Sequence, residues 1–206
     1  MDDTSIDTLK RARSLLRAHT TGTLLCDGTP TPIAYIIDPS TGGLILCAEH
    51  EMFEADDCVL AIPEDSFSCP MRVNLMIEEM PESIASDRYI AYHLRQDRPV
   101  WARGQISFAK IDSGGVADGE QLMTPNPLLD ALPHLCKRLN ADRKALREVC
   151  KLLTRAEIEN PIAVGVDEEG SDIRAEFGVV RMNWPGPVED ADECERVIAS
   201  LVGGAL

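Results

Sequence analysis

The first fifty residues contain three short β-rich runs separated by turn-forming residues, and this feature constrains the fold most. The runs are 23–26, 32–37 and 44–48; the first separator begins Asp27-Gly28 and the second ends Gly42-Gly43. Gly, Pro and Asp between apolar runs are typical of hairpin turns. Connections this short join antiparallel neighbours, because a parallel pair needs a crossover of a dozen or more residues. The sequence therefore predicts an antiparallel meander.

The rest of the chain alternates strands with helices and changes in composition after residue 112. Further strands are predicted at 59–62, 71–77, 100–111, 162–166 and 173–182. Helices are predicted before Gly22 and at 86–96, 128–153 and 188–201. Gly and Pro are frequent between 113 and 127. We predict a barrel domain over 1–112, a linker over 113–127 and a small α/β domain over 128–206.

Charge argues against two classes of partner. Asp and Glu number 35 against 20 Lys and Arg, which gives a formal net charge of -15. A field of that sign repels phosphate backbones and anionic membranes. We therefore expect no nucleic-acid partner and no membrane association. One local basic pocket for a phosphorylated cofactor is still compatible with this charge.

The seven cysteines indicate a reducing compartment. They occur singly, their number is odd and no CxxC motif is present. A disulfide framework is not expected in a chain of this size with such spacing. We expect buried thiols that pack as small hydrophobic side chains. The N-terminal segment lacks the apolar stretch of a secretory signal, so a cytoplasmic protein is predicted.

Two groups of motifs resemble a known superfamily. The first comprises A-R-S-L-L-R-A-H-T-T-G-T-L, the turn Y-I-I-D-P-S-T-G-G-L, and the pair D-R-Y-I-A-Y-H and W-A-R-G-Q-I; the other comprises L-N-A-D, G-V-D-E-E-G-S-D-I-R and Arg181. The first group is similar to the pyridoxamine 5′-phosphate oxidase-like split-barrel flavoproteins. The other group resembles the small domain that follows the barrel in haem-utilisation proteins and in a plant protein that binds glutamyl-tRNA reductase. The resemblance implies an α+β fold, a split antiparallel β-barrel followed by a small α/β lobe, and a homodimer with cofactors between two barrels.

The resemblance also implies binding residues for flavin mononucleotide (FMN). Arg88 and Arg103 belong to elements that line the cofactor groove in the family, and Lys110 ends the same strand as Arg103. Guanidinium groups suit phosphate oxygens. His50 follows the third strand, where the family often has a histidine. The alternatives are ion pairs for the arginines and a surface position for His50; no metal site is predicted.

Two further groups have competing interpretations. Tyr89, Tyr92 and His93 form either a ring-stacking face or a helix face packed on the barrel, and Trp101 is a candidate dimer anchor. Asn140 and Asp142 match the motif of the small domain. Their position inside a predicted helix favours the cap of a kink or a bond to the neighbouring strand over a catalytic role.

Three functions follow from the resemblance. The first is an FMN-binding protein, a flavin-dependent oxidoreductase if active. The second is a non-catalytic interaction or regulatory protein, which the five carboxylates between Glu49 and Asp57 favour because they would repel a phosphate placed beside them. The third is haem binding, through one of the four histidines. Haem-degrading members have a histidine where this chain has Arg143.

Overall fold

A computed structural model describes residues 3–96, 98–112, 114–155 and 157–202. The chain divides into two compact units, one ending at Pro125 and the other beginning at Asn126. The fold class is α+β, as predicted: a split antiparallel barrel is followed by a smaller α/β unit. Among the described helices, none is both long and apolar enough to cross a membrane.

Six strands form the closed barrel of the first unit. They are β1 (Thr21–Cys26), β2 (Thr29–Ile37), β3 (Leu44–Ala48), β4 (Cys58–Ile62), β5 (Met71–Glu79) and β6 (Val100–Ile111). The order around the barrel is β3-β2-β1-β4-β5-β6, and pairing of β3 with β6 closes it. All these pairs are antiparallel. The predicted strands and the antiparallel meander are confirmed.

The two predicted hairpin turns form as their residues dictate. Asp27 and Gly28 both have positive φ, at 48° and 79°, which suits the two-residue turn between β1 and β2. In the second turn, the buried Asp38 carboxylate accepts hydrogen bonds from Ser40 and Thr41. Gly42 has φ +76°, and a Cβ there would lie 2.4 Å from the backbone nitrogen of Thr124. Only glycine fits this position.

Two helices and a 3₁₀ helix accompany the barrel. Helix α1 (Asp3–Ala18) precedes it, and its buried Ala12 and Leu16 belong to the barrel core. The segment after β3 contains the 3₁₀ helix His50–Glu54. Helix α2 (Ile84–His93) begins at a capping box formed by Ser83 and Ser86 and packs on β2 and β3. Inward-facing side chains of all six strands fill the barrel interior.

The segment predicted as a linker, 113–127, contains structure that belongs to the barrel unit. Strand β7 (Val116–Asp118) pairs with β6, and the short helix α3 (Gly119–Leu122) follows it. Buried Ala117 and Leu122 join the barrel core. The Met123 sulfur accepts a hydrogen bond from the Ile106 N–H at 3.2 Å. The boundary between the units therefore lies after Pro125, later than the predicted end of the barrel at 112.

The second unit combines a three-stranded antiparallel sheet with three helices. Its elements are α4 (Leu132–Asn140), α5 (Arg143–Thr154), β8 (Ile162–Asp167), β9 (Gly170–Ala175), β10 (Gly178–Asn183) and α6 (Ala191–Val202). The strand order is β10-β9-β8. Helices α4 and α5 pack on β8 and β10 respectively, and α6 packs on both helices. This unit has its own hydrophobic core.

The predicted strand 173–182 is in fact two strands. The chain turns between Ala175 and Gly178, so β9 and β10 pair with each other, and the predicted hairpin is a three-stranded meander. Gly178 has φ 137°, a conformation that other residues rarely adopt. This glycine marks the turn. The sequence pattern did not reveal this turn, because it is short and has strand-forming residues on both sides.

Candidate functional site

The four residues predicted to bind a cofactor phosphate lie on three elements, which are β6, α2 and the 3₁₀ helix after β3. Arg103 on β6 lies opposite Ile45 and Glu78 in the strand register. Lys110 is seven residues further along the same strand, roughly 23 Å away at the usual rise per residue. It is exposed, and its ammonium nitrogen lies 5.6 Å from the centre of the Phe108 ring. Within one chain, the backbone positions of Arg103 and Lys110 are therefore far apart along β6.

The remaining two predicted residues lie on other elements. Arg88 is half-buried on α2, and His50 is exposed in the 3₁₀ helix after β3. Within the described part of the chain, neither forms an ion pair or a hydrogen bond. Arg103 also has no partner among the described residues, and its Nε atom is buried without an acceptor. Binding of a cofactor by these residues stays a prediction.

The aromatic side chains of α2 pack on the barrel. The Tyr89 ring is fully buried and meets Trp101 edge-on at a centroid distance of 5.4 Å. The His93 ring lies 4.6 Å from the Tyr89 ring, and its Nε2 is 3.1 Å from the Tyr35 carbonyl oxygen. Trp101 is buried beneath this helix. The packing interpretation of this helix face is the one the structure supports; the homodimer stays a prediction.

An open groove lies beside β1 and β2. Its volume is about 620 Å³. Its described lining comes from these two strands, from two residues after β4 and from two arginines after α2. Its lining comprises Thr21, Gly22, Thr23, Pro32, Ile33, Ala34, Pro63, Glu64, Arg95 and Arg98. This size falls within the usual range of small-molecule sites, about 300 to 1,000 Å³.

Two arginines that follow the C-terminal end of α2 line this groove. The helix ends at Leu94, which adopts the left-handed conformation with φ 63° and donates its backbone N–H to the Ile90 carbonyl. Arg98 donates to the Pro32 carbonyl oxygen at 2.6 Å, and its Nε lies 3.9 Å from the Glu49 carboxylate. Arg95 is exposed and has no ion pair or hydrogen bond with any described residue.

The groove is locally basic on a strongly acidic chain. Among the described residues, two guanidinium groups and one carboxylate, that of Glu64, line it. The acidic segment after β3 contributes no lining residue; its Glu49 contacts the groove only through Arg98. Such a pair of guanidinium groups can bind phosphate or carboxylate oxygens. Arg95 and Arg98 were not predicted from the sequence, because only the fold places them beside residues of β1 and β2.

The motif residues of the second unit support its architecture. The Asn140 amide donates to the Ala163 carbonyl and accepts from the Ala163 N–H, both at 2.9 Å. Asp142 caps α5 by accepting from the Ala145 N–H at 2.9 Å. The prediction that these two residues cap a helix and bond to a neighbouring strand is confirmed. Their side chains are committed to backbone groups and are not placed around a cavity.

Arg181 forms the other part of that motif. Its guanidinium group is almost completely buried and pairs with the carboxylates of Asp167 and Asp172. Burial alone would lower the pKa of Arg181, but the two carboxylates more than offset it, so the pKa is raised. Arg181 therefore stays charged and links β8, β9 and β10. No group of three or more His, Cys, Asp and Glu side chains suited to a metal ion occurs among the described residues.

Comparison with known proteins establishes the fold. No protein-family model and no curated protein matches the chain. A crystal structure of a protein of unknown function from Agrobacterium tumefaciens is similar, with a TM-score of 0.72, 20% identity and 96% of each chain covered. The likeness shows a shared fold and nothing finer. A haem-binding protein from Mycobacterium smegmatis is 20% identical over 96% of this chain and 97% of its own, with a TM-score of 0.40. A similarity that low carries no argument about a ligand.

Proposed function

We propose that this chain binds flavin mononucleotide in the groove beside Arg95 and Arg98. The observation that carries the proposal is the presence of two guanidinium groups at a groove of about 620 Å³ in a split-barrel unit. Arg95 has no partner among the described residues, so a ligand oxyanion would not have to displace an existing ion pair. Arg98 is held in place by the Pro32 carbonyl oxygen.

The residues present fit a phosphate-bearing planar ligand. Arg95 and Arg98 would hold the phosphate dianion, since guanidinium groups donate paired hydrogen bonds to such oxygens. Pro32 and Ala34 supply apolar groups beside which a ring system could lie. The Thr21 side chain adds a polar group at the groove. A bound flavin would supply hydride and electron transfer, which makes a flavin-dependent oxidoreductase the proposed class.

The position of the acidic segment favours this function over a scaffold without a cofactor. Its Glu51, Glu54, Asp56 and Asp57 are exposed to solvent. None of them is a lining residue of the groove, so none directly faces a phosphate bound there. Glu49 neutralises part of the charge of Arg98 and leaves Arg95 as the stronger anchor.

The test compares FMN with riboflavin, which lacks the phosphate. Quenching of flavin fluorescence gives both dissociation constants for the wild type, Arg95→Ala, Arg98→Ala and the matched control Arg11→Ala on α1. Arg11 is exposed and does not line the groove. A charge-assisted hydrogen bond contributes about 1.5 to 3 kcal/mol, so Arg95→Ala should weaken FMN binding about 10- to 100-fold and leave riboflavin binding unchanged.

Arg103→Ala distinguishes the groove from the site predicted from the sequence. If Arg103→Ala weakens FMN binding while Arg95→Ala and Arg98→Ala do not, the phosphate lies beside β6 and the groove is not the site. Equal binding of FMN and riboflavin by the wild type would contradict phosphate recognition altogether. Retention of neither flavin would refute the proposed function.

A further inference from the structure

Two of the seven cysteines lie side by side across neighbouring strands. Cys26 ends β1 and Cys58 begins β4, and they are direct partners in the antiparallel register. Their sulfur atoms are 3.3 Å apart. The sequence gives no indication of this pair, since the two residues are separated by β2 and β3. The barrel topology brings them together.

The backbone geometry at this pair is compatible with a disulfide. The neighbouring Asp27 N–H donates to the Asp57 carbonyl at 2.9 Å, and the Asp57 N–H donates to Asp27 Oδ1 at 3.1 Å, so the hydrogen bonds between these strands occur at 27 and 57. Hydrogen-bonded and non-hydrogen-bonded pairs alternate, so Cys26 and Cys58 occupy a non-hydrogen-bonded position, where Cα atoms are about 4.5 Å apart. Disulfides span Cα distances of about 4.4 to 6.8 Å. An S–S bond is about 2 Å long, so the two sulfur atoms need to approach each other by about 1 Å to form one.

The two thiols differ in their exposure to solvent, and this difference determines which of them reacts first with a dissolved reagent. Cys26 is half-buried, whereas Cys58 is 5% exposed. A small reagent therefore reaches Cys26 first. Burial raises the pKa of both thiols, and the Asp27 and Asp57 carboxylates raise them further. The thiolate population at neutral pH is small, so reaction is slower than for an unperturbed cysteine.

We propose that Cys26 and Cys58 are a thiol modification site that forms a disulfide by exchange with a small-molecule disulfide such as oxidised glutathione. The Cys26 thiolate attacks one sulfur of the reagent, a mixed disulfide forms and one glutathione thiolate leaves. The Cys58 thiolate then attacks the Cys26 sulfur and releases the second glutathione. The two protein thiols lose two electrons and two protons, and the reagent is reduced to two thiols. This inference does not depend on the proposed flavin site.

The bridge would join the end of β1 to the start of β4. It would close the loop that contains β2, β3 and the 3₁₀ helix, and such a crosslink restricts the unfolded chain. The Cys58 sulfur also lies 3.9 Å from the Met52 carbonyl of the 3₁₀ helix, so oxidation removes a weak donor from that contact. We therefore expect the oxidised barrel to unfold at a higher temperature than the reduced one.

The test treats the intact protein with oxidised glutathione and counts thiols in denaturant. The count should fall from seven to five, and peptide mapping should find Cys26 linked to Cys58. Cys58→Ser should trap glutathione on Cys26, and Cys26→Ser should leave Cys58 unmodified. Cys136→Ser in the second unit is the matched control and should keep the bridge. Reaction of the wild type to a stable glutathione adduct without the bridge, or retention of all seven thiols, would overturn the proposal.

Discussion

Replacement of Asn140 by alanine should destabilise the second unit and leave the barrel unaffected. The Asn140 side chain forms two hydrogen bonds, both to the backbone of Ala163 on β8. Ala163 is 3% exposed and lies where the pairing of β8 with β9 shifts register. Strand β8 is at the edge of its sheet. The Asn140 amide therefore forms the hydrogen bonds to the Ala163 backbone that a neighbouring strand would otherwise form.

The magnitude follows from the burial of those two backbone groups. Asn140→Ala leaves one N–H and one C=O without a protein partner. Each such buried group costs about 1 to 3 kcal/mol. Partial access of water to the space left by the amide lowers the sum, so we expect a loss of about 3 kcal/mol in the free energy of unfolding. Asn140→Asp keeps one acceptor oxygen and should lose less than Asn140→Ala at a pH where the carboxyl is protonated.

The two tryptophans allow the units to be followed separately. Trp101 is buried in the barrel unit and Trp184 in the second unit. In a Trp101→Phe background, urea unfolding reports Trp184 alone, and a Trp184→Phe background reports Trp101 alone. Asn140→Ala should move only the Trp184 transition to lower urea. Asn183→Ala, at an exposed position in the same unit, is the control and should move it by less than about 0.5 kcal/mol.

Two outcomes would refute this reasoning. An unchanged Trp184 transition would mean that the two backbone groups of Ala163 find other partners at no cost. A shift of equal size in the Trp101 transition would mean that the two units do not unfold independently. The first result would remove Asn140 as the residue that completes the edge of this sheet, and the second would refute the expectation that the barrel is unaffected.

Three further predictions concern stability. Gly119→Ala should destabilise the barrel by about 3 kcal/mol or more in the Trp101 transition, because its Cβ would lie 1.9 Å from the Ile106 carbonyl oxygen; a loss below about 1 kcal/mol would contradict this contact. Burial raises the pKa of the fully buried Cys150 and Cys194 from 9.0 to about 11. The stability that each neutral thiol contributes to the folded second unit is therefore complete below pH 9 and is lost as the pH rises through 11. At pH 11 the loss is about 2 kcal/mol for each thiol in the Trp184 transition, and replacing either by alanine should reduce this pH dependence. Asp142→Ala should cost about 1 kcal/mol by removing the cap of α5, while Asp142→Asn should restore most of it.

Local signals in the sequence were sufficient to predict most of the barrel. Alternating apolar residues and the Asp27-Gly28 turn specify hairpins through neighbouring residues, so those strands could be predicted without tertiary information. Strand β7 could not, because three residues in a Gly- and Pro-rich segment become a strand only through their pairing with β6. The turn before Gly178 was missed because an apolar run on both sides is equally compatible with one long strand.

The candidate site was harder to predict for a physical reason. Arg95 and Arg98 are separated by a few residues in a polar segment, which is typical of a solvated loop. They line a groove only because the fold brings the residues after α2 beside β1 and β2, which are distant in the sequence. Asn140 and Asp142 were predicted correctly, since a cap and a strand bond depend on side-chain chemistry at a helix end.

The pairing that closes the barrel also sets the order in which the chain can mature during synthesis. Strand β3 is buried along its whole length, yet one of its two partners, β6, is translated only after β4, β5 and α2. Until β6 leaves the ribosome, β3 presents an apolar edge with unpaired backbone groups, the kind of edge that promotes association between chains. The sheet of the second unit can form without such a delay, because β8, β9 and β10 pair in the order in which they are translated. Nascent chains halted before β6 should therefore be the ones that most require a chaperone.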